Sequence, residues 1–263
     1  MSKTLARSLA AVARAVTAMQ RPYRRANTLV NLSNMLIERH TMATPFGAIN
    51  FVSTHPQALA DAFSVVDREP ETTAWIANLS ADSVLWDVGA NIGLYSLLAA
   101  RRGIRVFAFE PAPASFAALS ENIRVNELDN LITALPFAIG SKDGLGALSM
   151  SATNAGSVYN SIAGKGDATF RQAVIVYSID RLIADFGLTP PTHLKIDVDS
   201  IEADIIEGGR ACIARPTLHS VLVEVDANNG QRERINALLT SAGLTTVPLP
   251  PIDKPVNAIY TRA

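Results

Sequence analysis

The chain has 263 residues, of which 48% are hydrophobic and 18% are charged, so it can bury one large core, or one core with an appendage. Its formal net charge of −1, without a basic stripe interleaved with aromatic residues, does not favour a nucleic-acid partner. The single Cys212 excludes an internal disulfide and a cysteine metal cluster, and it indicates a reducing, cytoplasmic setting. No apolar run is long enough to predict a membrane span.

Residues 1–25 are predicted to form a basic amphipathic helix whose periodic pattern ends at Pro22. Apolar residues recur at steps of four and three along one face, at Leu5, Leu9, Val12, Val16 and Met19. Basic residues lie on the opposite face, at Lys3, Arg7, Arg14 and Arg21. The apolar face has alanines and no Trp or Phe to anchor it in lipid, which favours packing on the domain or self-association with a second copy. The alternative is a peripheral helix drawn to an anionic membrane surface.

Residues 26–80 are predicted to be a helical and hairpin lead-in, and residues 81–263 to be the main domain. Within the lead-in, the residue types predict a strand over 46–52, a helix over 56–66 and a short helix that opens at Pro70. No residue pattern in this segment indicates chemistry.

The main domain opens with an apolar strand that runs into a loop containing glycines. The stretch reads V-L-W-D-V-G-A-N-I-G over residues 84–93, and helix-like spacing resumes at Leu94. This is the strand, tight loop and helix start of a βαβ unit. We expect Gly89 and Gly93 to permit unusual backbone torsions and to leave room for a ligand against the loop. The free N–H groups of the helix start would point at that ligand.

A second strand, residues 105–109, ends in Glu110. An acid at this place in a doubly wound sheet can accept hydrogen bonds from both hydroxyls of a ribose. Two cofactor classes use such an acid, and the loop distinguishes them. A dinucleotide loop reads G-x-G-x-x-G, whereas residues 87–93 read D-x-G-x-N-x-G. The carboxylate of Asp87 suits a cationic ligand such as S-adenosylmethionine better than a diphosphate, so a methyl donor is favoured over a nicotinamide cofactor.

Strands and helices alternate along the rest of the chain, which predicts a doubly wound, mainly parallel α/β sheet with a late antiparallel edge strand. Helices are expected at 113–126, 180–186, around 205–206 and at 231–241. Strands are expected at 132–139, 147–150, 174–179, 193–198, 220–225, 244–248 and 256–261. The polar loop 151–169 contains the best candidate for an acceptor-binding lid, residues 156–161. A mobile surface loop is the alternative for this segment.

Two acids, Asp197 and Asp199, lie at the end of the fourth core strand. Because the carboxyl ends of such strands face the ligand crevice, Asp197 is the first candidate for a catalytic base or acceptor-orienting residue, and Asp199 is the second. A purely structural role is an equal alternative for Asp197. The two carboxylates have no evident third partner for a divalent ion, so no metal site is predicted. Glu202 and Asp204 are interpreted as acids that stabilise a helix start.

These stretches together resemble the FkbM family of S-adenosylmethionine-dependent methyltransferases. The similarity covers roughly residues 84–226 and rests on D-V-G-A-N-I-G from Asp87, F-E-P around Glu110, Asn126, Ala138 and K-I-D-V from Lys195. It implies a class I, Rossmann-like methyltransferase fold. It also implies O-methylation of a hydroxyl on a sugar, glycan, lipid or secondary metabolite.

The resemblance further implies a set of contacts to the methyl donor. By position, the methionine part would lie on Asp87, Gly89, Asn91 and Gly93, the ribose on Glu110, and the adenine near Asn126 and Ala138.

The chain departs from the family directly after K-I-D-V, where it has Asp199-Ser200 in place of an acid and a glycine. Asp199 keeps the charge with a shorter reach, and Ser200 adds a Cβ at a strand-to-helix turn. This departure favours one alternative, a non-catalytic donor-binding or assembly module. A nicotinamide oxidoreductase is a further alternative, opposed by Asp87 and by the missing middle glycine. The acceptor is expected to be a small molecule or a glycan.

Overall fold

The computed structural model describes residues 2–52, 58–60, 63–64, 68–150, 153, 170–198, 201–225, 230–247 and 255–262. The chain divides into two units, residues 1–40 and 41–263. The lid candidate at 156–161 and the catalytic candidate Asp199 lie outside the described residues. The helix predicted over 56–66 is described only in part.

The first unit contains two helices, α1 (Ser2–Val16) and α2 (Pro22–Met35). The predicted amphipathic helix is present as α1, but it ends at Val16, so Met19 and Arg21 lie beyond it. Pro22 opens α2, at a position where the missing backbone N–H costs nothing because it has no partner within the helix. The apolar stripe of α1 is exposed, by 63%, 62%, 60% and 76% at Leu5, Leu9, Val12 and Val16. Within the described parts of the chain, no helix has the length and apolar character needed to cross a bilayer.

Strands and helices alternate through the second unit. Including the strand that leads into it, its elements are β1 Arg39–Thr44, β2 Gly47–Val52, α3 Pro70–Ala77, β3 Val84–Val88, α4 Leu94–Arg101, β4 Arg105–Phe109, α5 Pro113–Val125, β5 Ile132–Leu135, β6 Ala138–Ile139, β7 Gly144–Met150, β8 Phe170–Tyr177, α6 Ile179–Phe186, β9 His193–Ile196, α7 Glu202–Gly208, α8 Arg210–Ile213, β10 Ser220–Val225, α9 Gln231–Ser241, β11 Leu244–Thr246 and β12 Val256–Arg262. The elements predicted for the main domain are confirmed to within a few residues, apart from the third strand.

Seven strands form the central sheet, in the order β11-β12-β10-β9-β3-β4-β5. The pairs from β5 through to β10 are parallel, and β12 runs antiparallel to both of its neighbours. The predicted mainly parallel sheet is confirmed, and its antiparallel strand lies one place in from the edge strand β11. The direction of winding reverses between β3 and β9. The crevice at such a switch point is where doubly wound sheets bind their ligands.

The single strand predicted over 132–139 is wrong, because the segment divides at Pro136. Proline has no backbone N–H to give to a sheet ladder. The first part, β5, ends the central sheet next to β4, while β6 pairs with β8 in a separate three-stranded sheet of order β6-β8-β7. This second sheet contributes Ala138, Ile139 and Leu148 to the wall of an apolar cleft.

Each face of the central sheet has its own buried apolar cluster, because side chains alternate along a strand. Leu85 and Leu222 pack on the face that carries α4 and α5. Trp86, Leu194 and Ile196 pack on the other face, with α6, α7 and α9. The buried strands therefore hold the sheet between two layers of helices.

Charged residues interrupt the α4 face near the carboxyl ends of three strands. They are Asp87 in β3, Lys195 in β9 and Glu224 in β10. Asp87 pairs in register with Lys195, and Lys195 pairs with Leu222, two residues before Glu224. The register of parallel strands thus brings together three ionisable side chains that are far apart in the sequence.

Candidate active site

The loop between β3 and α4 packs tightly on its neighbours. The Gly89 N–H donates to the Phe109 carbonyl at 3.0 Å. Gly89 and Gly93 have φ of +84° and +94°, and a Cβ on them would lie 1.9 Å from the Asp197 carbonyl oxygen and 2.5 Å from Leu119 Cδ1. Protein atoms therefore fill the space that we expected a ligand to use. Packing and positive φ explain the two glycines, and a donor contact there would come from their backbone.

Glu110 directly follows β4 and is only 7% exposed. Its Oε2 accepts a hydrogen bond from the Asn91 N–H and its Oε1 accepts one from the Ala112 N–H, both at 2.8 Å. These two bonds hold the carboxylate between the β3–α4 loop and the start of α5. The two bonds fix the direction of the Glu110 carboxylate at the edge of the β3–α4 loop.

An apolar cleft with about 350 Å³ of empty space, part of it open to solvent, lies beside the ends of β3 and β4. It is lined by Val88, Gly89, Phe109, Pro111, Phe137, Ala138, Ile139, Leu148, Val198 and Ile201. Ala138, which the resemblance places near adenine, is part of this wall. A flat apolar ring suits a cleft of this composition.

Asn126 lies elsewhere, at the carboxyl-terminal cap of α5. Its Oδ1 accepts from the Asn50 N–H at 2.9 Å and from Arg101 Nη2 at 3.0 Å. Its Nδ2 donates at 2.7 Å to the Asn50 and Asn122 carbonyls. The helix α5 returns from the carboxyl ends of the strands to their amino ends, so its last residue lies away from the cleft. The amide of Asn126 is engaged in tying β2 to α5, and Ala138 is the member of the predicted adenine pair that lines the cleft.

A buried ion-pair cluster lies at the carboxyl ends of β3 and β9. Lys195 Nζ is 2.7 Å from Asp197 Oδ2 and 3.9 Å from Asp87 Oδ1, and the Lys195 and Asp87 side chains are each 1% exposed. Asp87 Oδ2 accepts from Ser96 Oγ at 2.6 Å. Burial raises the pKa of Asp87 against the opposing effect of Lys195. Burial also disfavours the charged form of Lys195, but Asp197 and Asp87 outweigh it and raise the pKa of Lys195.

Tyr95 of α4 covers this cluster. The Lys195 ammonium lies 4.7 Å from the centroid of the Tyr95 ring, a cation–π contact. The Tyr95 hydroxyl donates to Glu69 Oε2 at 2.6 Å, and the same oxygen accepts from Asn257 Nδ2 at 3.0 Å. Burial, followed by the charge of Glu69, raises the pKa of Tyr95, so this phenol keeps its proton. The cluster is thereby linked to the segment before α3 and to β12.

Glu224 is a member of the site that sequence reasoning missed. Burial, and then the neighbouring charge of Asp197, raises the pKa of Glu224 to about 8. A signal was present in the sequence, since Glu224 is the only charged residue of the apolar run 220–225. Lys195 carried the same signal in 193–196, as a charge inside a short buried strand.

The arrangement fits a ligand with a cationic group, vicinal hydroxyls and a flat ring. Asp87 Oδ1 and Asn91 Oδ1 are buried acceptors without a hydrogen-bond partner among the described residues, and such acceptors suit a bound donor group. Glu110 accepts from the Asn91 N–H and directly precedes Pro111, a residue of the apolar cleft. Among the residues that the structure describes, no group of three or more His, Cys, Asp or Glu side chains is arranged to hold a metal ion.

The order of the central sheet, with β12 antiparallel and second from the edge, defines the Rossmann-like fold of class I methyltransferases. Residues 87–244, more than half of the chain, match the family described as the methyltransferase FkbM domain. The chain belongs to this family, which confirms the resemblance seen in its motifs.

Relatives of this chain are methyltransferases from distant organisms. It is 28% identical over 165 residues to the hexuronic acid methyltransferase AglP of Haloferax volcanii, which covers 63% of this chain and 64% of AglP. It is 30% identical over 196 residues to the 31-O-demethyl-FK506 methyltransferase FkbM of Streptomyces tacrolimicus, which covers 64% of this chain and 75% of that protein. The match to AglP therefore spans slightly less than two thirds of that relative's length.

A solved structure supports the fold. The crystal structure of a methyltransferase FkbM from Methylobacillus flagellatus KT aligns with a TM-score of 0.51 at 16% identity. The alignment covers 80% of this chain and 56% of that chain. At this identity the likeness concerns the fold alone.

Proposed function

We propose that this protein is an S-adenosylmethionine-dependent methyltransferase that methylates a hydroxyl of a sugar, glycan, lipid or secondary metabolite. The observation that carries the proposal is the placement of Asp87, Glu110 and the apolar cleft at the adjoining ends of β3 and β4. Family membership supports methyl transfer. The names of two relatives, which refer to a hexuronic acid and to 31-O-demethyl-FK506, support an acceptor of this kind.

Each part of the donor has a candidate partner among the described residues. Glu110 would accept hydrogen bonds from the ribose hydroxyls. Ala138 and the other cleft residues would pack on the adenine. Asp87 Oδ1 and Asn91 Oδ1, which lack partners among the described residues, would face the ammonium of the methionine part. The loop backbone at Gly89 and Gly93 would complete this contact.

The donor, when bound, supplies a positively charged sulfonium whose methyl group is displaced in line. The protein has to position the acceptor oxygen, which can contribute up to about 7–11 kcal/mol. Asp197, at the end of β9, is the first candidate for this task, with Asp199 as the second. Because Asp197 Oδ2 is held by Lys195 Nζ at 2.7 Å, its carboxylate has a fixed direction, which suits an orienting role.

Calorimetric titration with S-adenosylmethionine, S-adenosylhomocysteine and NADH tests the proposal. We expect micromolar binding of both adenosyl ligands and no binding of NADH. Asp87→Ala and Glu110→Ala should each weaken binding at least about tenfold, the effect of losing one charge-assisted hydrogen bond. Asp129→Ala, at an exposed acid, is the control. Absence of binding of either adenosyl ligand would refute the proposal.

Two other functions have distinct signatures in the same experiments. Binding of NADH alone would indicate a nicotinamide oxidoreductase. A non-catalytic donor-binding or assembly module would bind the adenosyl ligands and show no methyl transfer in the wild-type protein. For the enzyme, Asp197→Asn should lower turnover while donor binding is retained.

We also propose that the exposed apolar stripe of α1 binds an anionic membrane surface from the cytoplasmic setting that the composition indicates. Six basic residues and no acidic residue precede Glu38, and this charge complements an anionic membrane surface. Co-sedimentation with vesicles containing 30% phosphatidylserine is the test, at about 0.1 M salt. Binding that Leu9→Glu abolishes supports peripheral attachment. Self-association of the wild-type protein without vesicle binding would refute it in favour of packing between copies.

A further inference from the structure

Glu224 is the only charged residue of the buried strand β10. The other five residues of β10 are buried, and Glu224 is partly accessible at the carboxyl end of the strand. It pairs with Asn257 of β12. The parallel register of β10 with β9, continued by one residue, places it beside Asp197. Glu224 thus lies next to the residue that is the first candidate for contacting the acceptor.

The charged groups around Glu224 come from β9, α7 and the segment before α3, and its β12 neighbour, Asn257, is uncharged. They are Asp197 and Lys195 from β9 and its end, Glu202 from the first turn of α7, and Glu69 from the segment before α3. The single cation, Lys195, is held by Asp197 at 2.7 Å. No hydrogen bond or ion pair to another described residue holds the Glu224 carboxylate. Among the described residues its charged neighbours are therefore mostly acidic, and none of them holds its carboxylate.

We propose that Glu224 is the catalytic base that takes the proton from the acceptor hydroxyl, while Asp197 and Lys195 orient the acceptor. The proposal rests on the proposed methyl transfer. It divides the work between Asp197, the first candidate from the sequence, and Glu224, which sequence reasoning missed. Asp197 is held in an ion pair with Lys195, whereas no described residue holds the Glu224 carboxylate, which suits a base.

The step balances without a further reactant. The acceptor oxygen forms a bond to the methyl carbon, and the carbon–sulfur bond breaks with its electron pair moving to sulfur, which becomes a neutral thioether. The hydroxyl proton passes to the Glu224 carboxylate and later to solvent. Because burial and Asp197 raise the pKa of Glu224 to about 8, its ionised form is a stronger base than an ordinary carboxylate.

Proton release on donor binding tests this placement without knowledge of the acceptor. S-adenosylmethionine carries a sulfonium and S-adenosylhomocysteine a neutral thioether, and the two ligands otherwise share their charges. A sulfonium beside Glu224 lowers its pKa, and a fall from about 8 to about 7 would release about 0.4 more protons at pH 7 for the methyl donor. Calorimetry in buffers of different ionisation enthalpy measures this difference. We expect Glu224→Gln to abolish it and Glu233→Gln, an exposed acid of α9, to retain it.

The rate provides the second measurement. In transfer of labelled methyl to a mixture of methyl hexosides at saturating methyl donor, the wild-type rate should rise with pH and level off above about 7, the pKa expected with the donor bound, since the base must be ionised. Glu224→Gln should lower the rate 100-fold to 10,000-fold and lose this pH dependence, with affinity for S-adenosylhomocysteine within twofold of wild type. Glu224→Asp, which keeps the carboxylate, should restore part of the rate.

Three results would overturn the role of Glu224. They are equal proton release for both ligands in the wild type, a release difference that survives in Glu224→Gln, and a Glu224→Gln rate within tenfold of wild type. Failure of both adenosyl ligands to bind is a different result. It would overturn the donor site, and the role of Glu224 would fall with it.

Discussion

Replacing Lys195 with methionine is expected to lower the free energy of unfolding by about 3–5 kcal/mol, because it removes one partner of a buried ion pair. Lys195 and Asp87 are each 1% exposed, and Lys195 Nζ lies 2.7 Å from Asp197 and 3.9 Å from Asp87. Methionine preserves most of the apolar stem of lysine, so the loss isolates the charge. The variant is left with two carboxylates, one of them fully buried, and no cation between them.

The loss should also grow with pH. Burial already raises the pKa of Asp87, and Lys195 is the main opposing charge. Without it, the pKa of Asp87 rises further, so the folded variant binds more protons than the unfolded chain. Stability then falls as pH rises from the unfolded pKa, about 4, through the raised folded pKa. The difference between variant and wild type is therefore larger at pH 8 than at pH 5.

Urea unfolding at the two pH values, followed by the fluorescence of the buried Trp75 and Trp86, measures this loss. Lys142→Met, at an exposed lysine, is the control and should stay within about 0.5 kcal/mol of wild type. A loss in Lys195→Met below about 1 kcal/mol, the range of a surface pair, would refute the reasoning. So would a loss that is smaller at pH 8 than at pH 5.

Two further substitutions separate the fold from the site. Asn126→Ala removes the bonds that tie α5 to Asn50 and should lower the free energy of unfolding by about 1–3 kcal/mol, with donor affinity within twofold of wild type. The exposed Asn130→Ala is the control and should change neither quantity. A loss of donor affinity in Asn126→Ala would place Asn126 at the site. In Gly89→Ala, the new Cβ would clash with the Asp197 carbonyl, and the φ of +84° is unfavourable for alanine. Thermal unfolding should therefore show a loss of stability above about 1–2 kcal/mol, and calorimetry should show weaker donor binding. Wild-type behaviour in both assays would contradict the packing described for Gly89.

Local patterns in the sequence were sufficient to predict where the residues of the proposed donor site lie in the fold. A short apolar strand, a loop with glycines and an acid at the end of the next strand are all local features, and they place Asp87 and Glu110 correctly at the ends of β3 and β4. The same kind of reasoning failed at Pro136, where the residue types continue a strand but the missing backbone N–H ends it. It also explained Gly89 by a ligand, although the atom that excludes a Cβ belongs to Asp197.

The proposed acceptor site depends on contacts between strands that are distant in the chain. Lys195 lies beside Asp87 because β9 pairs with β3, and Glu224 lies beside Asp197 because β10 pairs with β9. The spacing of residues along the sequence does not show which residues of neighbouring strands pair. A lone charge in a buried strand, such as Glu224, indicates that a partner or a function exists, and only the fold identifies the neighbours.

A crystal structure of the protein with bound S-adenosylhomocysteine tests the central claim most directly. We expect the ribose hydroxyls on Glu110, the adenine in the cleft against Ala138, and the ammonium of the amino-acid part at Asp87. The sulfur should face Asp197 and Glu224. A ligand bound outside the crevice at the ends of β3 and β4, or one with its ribose away from Glu110, would contradict it.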